Sequence, residues 1–249
     1  YMVCNNKTKN TIRKRTMVKP VSSDLLIAGG GLAGIVTALE ALRAGKSVTI
    51  VDRDSPERFG GLALWAFGGM MLIDTPLQRR MRIADSPELA LNDWLRFGEL
   101  DPNDEWPVQW ARYYVEHSRT EVHDWLADEG IKFMPAVNWV ERGRFGDGNS
   151  VPRYHITWGT SRELVRCMVN ALHEADTGGR LAIHPRHRIP ALDHQAGEVC
   201  GAVAINEETG EEVRFEAANV VLAMGGINGS HAECRANWPR HRPQPATML

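Results

Sequence analysis

Three glycines and one carboxylate carry the clearest chemistry in this sequence. Gly29, Gly31 and Gly34 spell G-x-G-x-x-G, and Asp52 stands about 20 residues further on. In such a pattern the first glycine permits a tight turn. The second lets a pyrophosphate approach the backbone, and the third lets a helix pack close to a strand. A carboxylate at that distance accepts hydrogen bonds from a ribose diol and disfavours a 2′-phosphate. The chemistry implied is the holding of an adenine dinucleotide; the plainer alternative is a structural turn with a surface aspartate. A second stretch, PRYHITWGT, offers Arg153, His155 and Thr160 to a reacting group. It ends where a helix should begin, a place suited to an anionic or carbonyl oxygen. The plainer alternative for His155 is a hydrogen bond to loop backbone.

These residues need elements to position them. Leu25 to Ala28 is a short apolar run expected to be a strand buried on both faces. Ile35, Ala38, Leu39 and Leu42 share one helical face, and Gly45 stops that helix. Its N-terminus presents unpaired N–H groups to an anion. Ser47 to Val51 is the second strand. Further on, Gly60-Gly61 and Gly68-Gly69 bracket an apolar stretch, as where something flat or bulky must approach backbone.

Ser86-Pro87 opens a helix carrying Leu89, Leu91 and Trp94, and Pro107 opens another carrying Trp110, Tyr113 and Tyr114. Val122, Trp125 and Leu126 continue the pattern to Gly130. Their helical spacing assigns these aromatics to the core. Pro135 to Pro152 reads as a long loop. Thr160 and Ser161 are N-caps for a helix through Leu164, Val165, Met168 and Leu172, closed by Gly178-Gly179. Leu181 to His184 is a strand. Arg186 to Leu192, Val199 to Ile205 and Glu212 to Phe215 follow as a meander with turns at Gly197 and Gly210. Asn219 to Ala223 then reads as a separate buried strand running into Gly225-Gly226. His184, His187 and His194 cluster without a carboxylate or cysteine at ligand spacing, so no metal is expected.

The chain has 249 residues, 43% hydrophobic and 24% charged, as in ordinary globular proteins. It has no apolar run long enough to span a bilayer. Cys4, Cys167, Cys200 and Cys234 are widely spaced, as in a reduced, cytoplasmic protein. Residues 1–23 hold Lys7, Lys9, Arg13, Lys14, Arg15 and Lys19 with no acid among them, and read as a disordered basic tail. Residues 24–249 form the folded domain. Neither nucleic acid nor membrane is an expected partner. The proline-bearing end from Trp238 to Leu249 reads as a cut rather than a domain boundary.

Taken together, the glycine turn with Asp52, GGLALWAFGG, the meander and VVLAMGG resemble the flavoproteins of the succinate dehydrogenase and fumarate reductase type, which include 3-ketosteroid Δ1-dehydrogenases. WAFGGMMLIDTPLQRR, GNSVPRYHITWGT and GGINGSHAECRANWP resemble the branch called FAD-binding dehydrogenases. The resemblance runs from about Asp24 to Leu249 and covers only the N-terminal part of that family. It implies an α/β, Rossmann-like FAD-binding fold with a central parallel sheet and a three-stranded meander, lacking the substrate cap and the last flavin-binding segment.

It also implies FAD as cofactor. Gly29, Gly31, Ala33 and Gly34 would hold the pyrophosphate, and Asp52 the ribose. Gly60, Gly61, Leu62 and Ala63 would meet the phosphate and flavin side. Backbone at Arg188 or Ile189 would meet adenine, and Ala223, Gly225 and Gly226 would close over the cofactor. In covalent members a histidine carries the flavin where this chain has Leu62, so a noncovalent FAD is expected. The related branch has Gln and Ser where this chain has Leu62 and Ala66. The implied activity is hydride transfer between a C–C or C–OH unit of a small-molecule substrate and flavin N5. The alternatives are an NAD-dependent dehydrogenase and a truncated, non-catalytic FAD-binding module.

Overall fold

The computed structural model describes residues 20–101, 103–139 and 148–226. The first strand, β1 (Val21–Ala28), leads through the glycine turn to α1 (Leu32–Arg43) and β2 (Val48–Val51). Leu26 and Ile27, adjacent on β1, must point to opposite faces of a sheet, and both are fully buried. Each face therefore needs its own cover.

One cover is helical. Ile27 and Ile50 pack with Ile35, Leu39 and Leu42 of α1 and with Leu164, Met168 and Leu172 of α6 (Thr160–Ala175). The other is the meander. Leu26 and Val51 pack with Ala202, Ala204 and Phe215. Those last three lie on β7 (Glu198–Asn206) and β8 (Glu212–Leu222), which follow β5 (Leu181–His184) and β6 (His187–Gln195). The six strands are ordered β5-β2-β1-β8-β7-β6. Pairs β5–β2, β2–β1 and β1–β8 are parallel, whereas β8–β7 and β7–β6 are antiparallel.

Between the two halves of this sheet the chain makes β3 (Gly69–Met71), α2 (Pro76–Arg80), α3 (Pro87–Phe97) and α4 (Glu105–His117). A π-helical turn, Ser118–Asp124, then leads to α5 (Trp125–Asp128) and β4 (Tyr154–Ile156). β3 and β4 pair antiparallel as a small separate sheet. Ile73, Ala90, Leu91, Ala111 and Val115 make a third core, where α3 and α4 meet the segment after β3.

Several sequence expectations are corrected. Glu212 to Phe215 and Asn219 to Ala223 are not two strands. They are one continuous β8, whose first half pairs with β7 while its length runs beside β1. Its second half is not fully buried: Asn219 and Leu222 are exposed, because β7 flanks only Glu212 to Glu216. The basic tail does not extend to residue 23, because Val21–Ser23 already belong to β1, paired with Phe215–Ala217. Residues 1–19 and the expected cut from Trp238 lie outside the described residues.

The expected aromatic core is only partly found: Tyr114 packs against the third core and Trp125 against the first, whereas the other aromatics of α4 face outward. Trp106, Trp110 and Tyr113 on α4 are exposed, and only Ala111 and Val115 of that helix are buried. Their spacing is helical, but small aliphatic residues form the packed stripe. Ser86 caps α3 as expected, accepting from Leu89 N (3.2 Å).

Candidate functional site

The glycine turn joins β1 to α1 at the carboxyl ends of the parallel strands. Gly29 has φ +109°, a left-handed conformation, and a side chain there would strike the Ala223 carbonyl. Gly34 admits no side chain because the Gly29 carbonyl sits against it, which brings α1 onto the strand. Gly30 lies under the Phe59 ring and donates its N–H to Asp52 Oδ2 (2.5 Å). The sequence reading missed this glycine, because the motif leaves its position free.

Gly31 differs. Its backbone is ordinary (φ −76°, ψ 179°), and a Cβ built there meets no protein atom within 4 Å. The open space faces the N-terminus of α1, whose N-cap makes no side-chain hydrogen bond. Unpaired N–H groups at the head of a helix form an anion cradle.

The second glycine pair seals one side of that cradle. Gly60 donates to Gly30 O (2.8 Å), Gly31 and Gly60 form a β-bridge, and a Cβ on Gly61 would lie 3.4 Å from Gly31 Cα. The chain then makes a 3₁₀ turn, Gly61–Trp65, on which Leu62 and Trp65 stand 74% and 71% exposed. Ala223 closes another side, donating its N–H to Ala28 O (2.8 Å). Gly225 and Gly226 follow it, exposed.

Asp52 lies at the third side. Its Oδ2 takes the Gly30 N–H and its Oδ1 takes the Asp54 N–H (2.7 Å). The carboxylate thus ties the glycine turn to the end of β2, and each oxygen keeps a lone pair. Backbone of Asp52 also accepts from His187 N (2.8 Å), which sets Arg188 and Ile189 beside it. The Arg188 side chain is committed to Glu207 (2.8 Å).

The residues gathered here fit a dinucleotide: an open helix terminus, a glycine that leaves room for phosphate, and a carboxylate with free lone pairs. Residues 24–248 match the model of a family described as FAD binding domain. The chain belongs to this FAD-binding family. It is 40% identical over 237 residues to a KsdD-like steroid dehydrogenase of Mycobacterium tuberculosis, covering 88% of this chain and 41% of that protein. It is 29% identical to NADH:fumarate oxidoreductase of Klebsiella pneumoniae, over 86% of this chain and 21% of that one.

Among solved structures it superposes on 3-ketosteroid-Δ4-(5α)-dehydrogenase from Rhodococcus jostii, solved with 4-androstene-3,17-dione. The TM-score is 0.72 and the identity 25%, over 89% of this chain and 50% of that one. The fold is shared with a flavocytochrome c3 fumarate reductase, with a TM-score of 0.71 and 24% identity over 92% and 38% of the two chains. The chain therefore spans about 41% of the length of its curated steroid dehydrogenase relative.

In this FAD-binding domain the PRYHITWGT residues lie largely inside. Arg153 is 2% exposed and its guanidinium is taken by Asp85 (Nη2–Oδ1, 2.8 Å) and Asp93 (Nη1–Oδ2, 2.6 Å). Burial opposes the charge on Asp93, but Ser150 and Arg153 outweigh it and hold the carboxyl below its usual range. His155 is fully buried. Its Nδ1 donates to Arg153 O (2.7 Å) and its Nε2 accepts from the Thr75 hydroxyl (2.7 Å), which fixes the neutral Nδ1–H tautomer. Burial pulls its pKa down to about 4. Each guanidinium nitrogen of Arg153 and both ring nitrogens of His155 thus have a partner within the protein.

Thr160 is exposed, with φ +63° at the head of α6, and accepts from Arg162 N (3.4 Å). Beside it, Thr157 N donates to Gly68 O (2.9 Å), so exposed Phe67 and Trp158 flank the same bond.

Proposed function

We propose that this chain holds FAD without a covalent bond as part of an oxidoreductase that moves a hydride between a small organic substrate and flavin N5. The observation that carries the reading is the open space over Gly31 at the head of α1, in a glycine turn that hydrogen bonds tie to Gly60, Asp52 and Ala223. Flavin supplies the redox chemistry when bound. The chain's own residues would bind and orient it. N–H groups at the head of α1 would meet the pyrophosphate, with Gly31 leaving room for it, Ala33 beside it on the first turn, and Gly34 seating the helix on the strand. Asp52 would accept from the ribose on the lone pairs its backbone contacts leave free. Backbone at Arg188 and Ile189 would border adenine. Gly60, Gly61, Leu62 and Ala63 would run along the phosphate and flavin, and Ala223, Gly225 and Gly226 would cover it.

Leu62 has no nucleophilic atom to attach a flavin, which supports the noncovalent reading. Thr160 is the exposed candidate for a polar contact near the flavin edge. Substrate class follows the relatives: the steroid and fumarate enzymes support a C–C bond as the site of hydride transfer.

The test is direct. Purified protein should be yellow or take up FAD on titration, and acid precipitation should leave all flavin in the supernatant. Flavin in the denatured pellet would refute the noncovalent attachment. Failure to bind FAD at all would refute the cradle.

A further inference from the structure

A cavity of about 440 Å³ lies between β3, α3 and α4. It shares no lining residue with the dinucleotide cradle. Met71, Ile73, Ala90, Trp94, Phe97 and Val115 give it mostly apolar walls. A concave, mostly apolar space of this size falls in the range of small-molecule sites. It has room for on the order of 20 non-hydrogen atoms. Trp94 and Phe97 are both partly exposed and make an aromatic rim open to solvent.

The polar part of the wall is charge-balanced. The two charged side chains that line it, Asp93 and Arg153, pair with each other (Nη1–Oδ2, 2.6 Å), and each has a second partner behind the wall, Arg96 for Asp93 and Asp85 for Arg153. The Tyr114 hydroxyl is occupied by Met71 O (2.8 Å). Such a wall draws neither an anion nor a cation, and burying a charged ligand there would cost its hydration without a counter-charge.

We propose that this cavity is a binding site for an uncharged, apolar small molecule, separate from the FAD cradle. The ligand enters past the Trp94–Phe97 rim and stacks its flat face on those rings.

The probe pair is N-phenyl-1-naphthylamine, which is uncharged, and 8-anilinonaphthalene-1-sulfonate, the same rings bearing a sulfonate. Each is titrated into the 249-residue chain and followed by its emission. The uncharged probe should saturate at one equivalent and bind at least tenfold more tightly than the sulfonate, with and without saturating FAD. Phe97→Asp places a carboxylate on the exposed rim and should weaken the uncharged probe at least tenfold in protein whose circular dichroism is unchanged. Ala90→Phe, which fills the cavity, should do the same. If Ala90→Phe does not fold, Phe97→Asp decides the matter. Trp110→Ser, outside the cavity, should leave binding unchanged. No binding of the uncharged probe, equal binding of the sulfonate, displacement by FAD, loss in Trp110→Ser, or full binding in folded Phe97→Asp would each overturn the proposal.

Discussion

At the scale of single residues, Gly31 and Gly34 belong to one motif but are glycine for different reasons. Gly34 faces protein backbone, whereas Gly31 faces open space in an ordinary conformation. Gly31→Val should therefore fold normally and lose FAD binding by at least about 100-fold, because the branched side chain takes the room needed by phosphate. Gly34→Ala should instead destabilise the fold itself, since α1 must move off the strand. Thermal melting and FAD titration of the two variants separate these outcomes; a Gly31→Val protein that binds FAD normally would remove the cradle assignment.

His155 gives a pH prediction. Its folded pKa of about 4 lies below the unfolded value near 6.5. Between those values the unfolded chain binds the extra proton, so stability is complete above about pH 6.5 and is lost as pH falls toward 4. The loss amounts to about 3 kcal/mol at most. Urea unfolding across this window should show the slope in the parent and lose it in His155→Gln.

At the scale of elements, the interior is wired by one polar chain rather than by packing alone. Thr75 caps α2 by accepting from Gln78 N (3.2 Å), and Gln78 Oε1 accepts from Thr75 N (2.9 Å), a reciprocal capping box. Gln78 Nε2 reaches Asp85 and Pro152 O, both at 2.9 Å. Asp85 holds Arg153, which holds Asp93 on α3, which in turn holds Ser150 N (2.7 Å). The chain of bonds thus fixes β4, α2 and α3 to each other and sets one wall of the cavity. Arg153→Met would strand two buried carboxylates and should cost about 3–5 kcal/mol. Adding Asp85→Asn and Asp93→Asn to it should recover part of that loss. Chemical denaturation of the single and triple variants measures both.

At the scale of the whole molecule, two covered sheet faces stand beside a broad exposed apolar rim. Leu62, Trp65, Phe67 and Trp158 all project from the segments that border the cradle. Bound FAD should couple those segments to the sheet. At free FAD near 100 times its Kd, binding adds about 2.7 kcal/mol of stability, a rise in Tm of roughly 5–10 °C for a chain of this size. Gly31→Val should show no rise. Scanning calorimetry with and without FAD is the measurement. Among the described residues, no helix is long and apolar enough to cross a membrane.

The sequence by itself determined the βαβ unit, because strand, glycine turn, helix and acid are all local. Leu26 and Ile27 are apolar in succession, and that run announces a strand covered on both faces. The capping of α3 by Ser86 was legible for the same reason, since a cap acts over three residues. What covers each face was not legible. α6 packs on α1 from more than 100 positions away, and only tertiary structure decides that the meander takes the opposite face. The single long β8 was hidden too: polar Glu216 and Asn219 interrupt its apolar pattern, because its two halves serve different neighbours. Helical spacing assigned the aromatics of α4 to the core, yet spacing fixes only which residues share a face. Which face turns inward depends on what lies across from it, and there Ile73 and Ala90 leave room for Ala111 and Val115. The same holds for Arg153 and His155. Their types suit catalysis, but only the fold brings Asp85, Asp93 and Thr75 to them and spends their hydrogen bonds inside the protein.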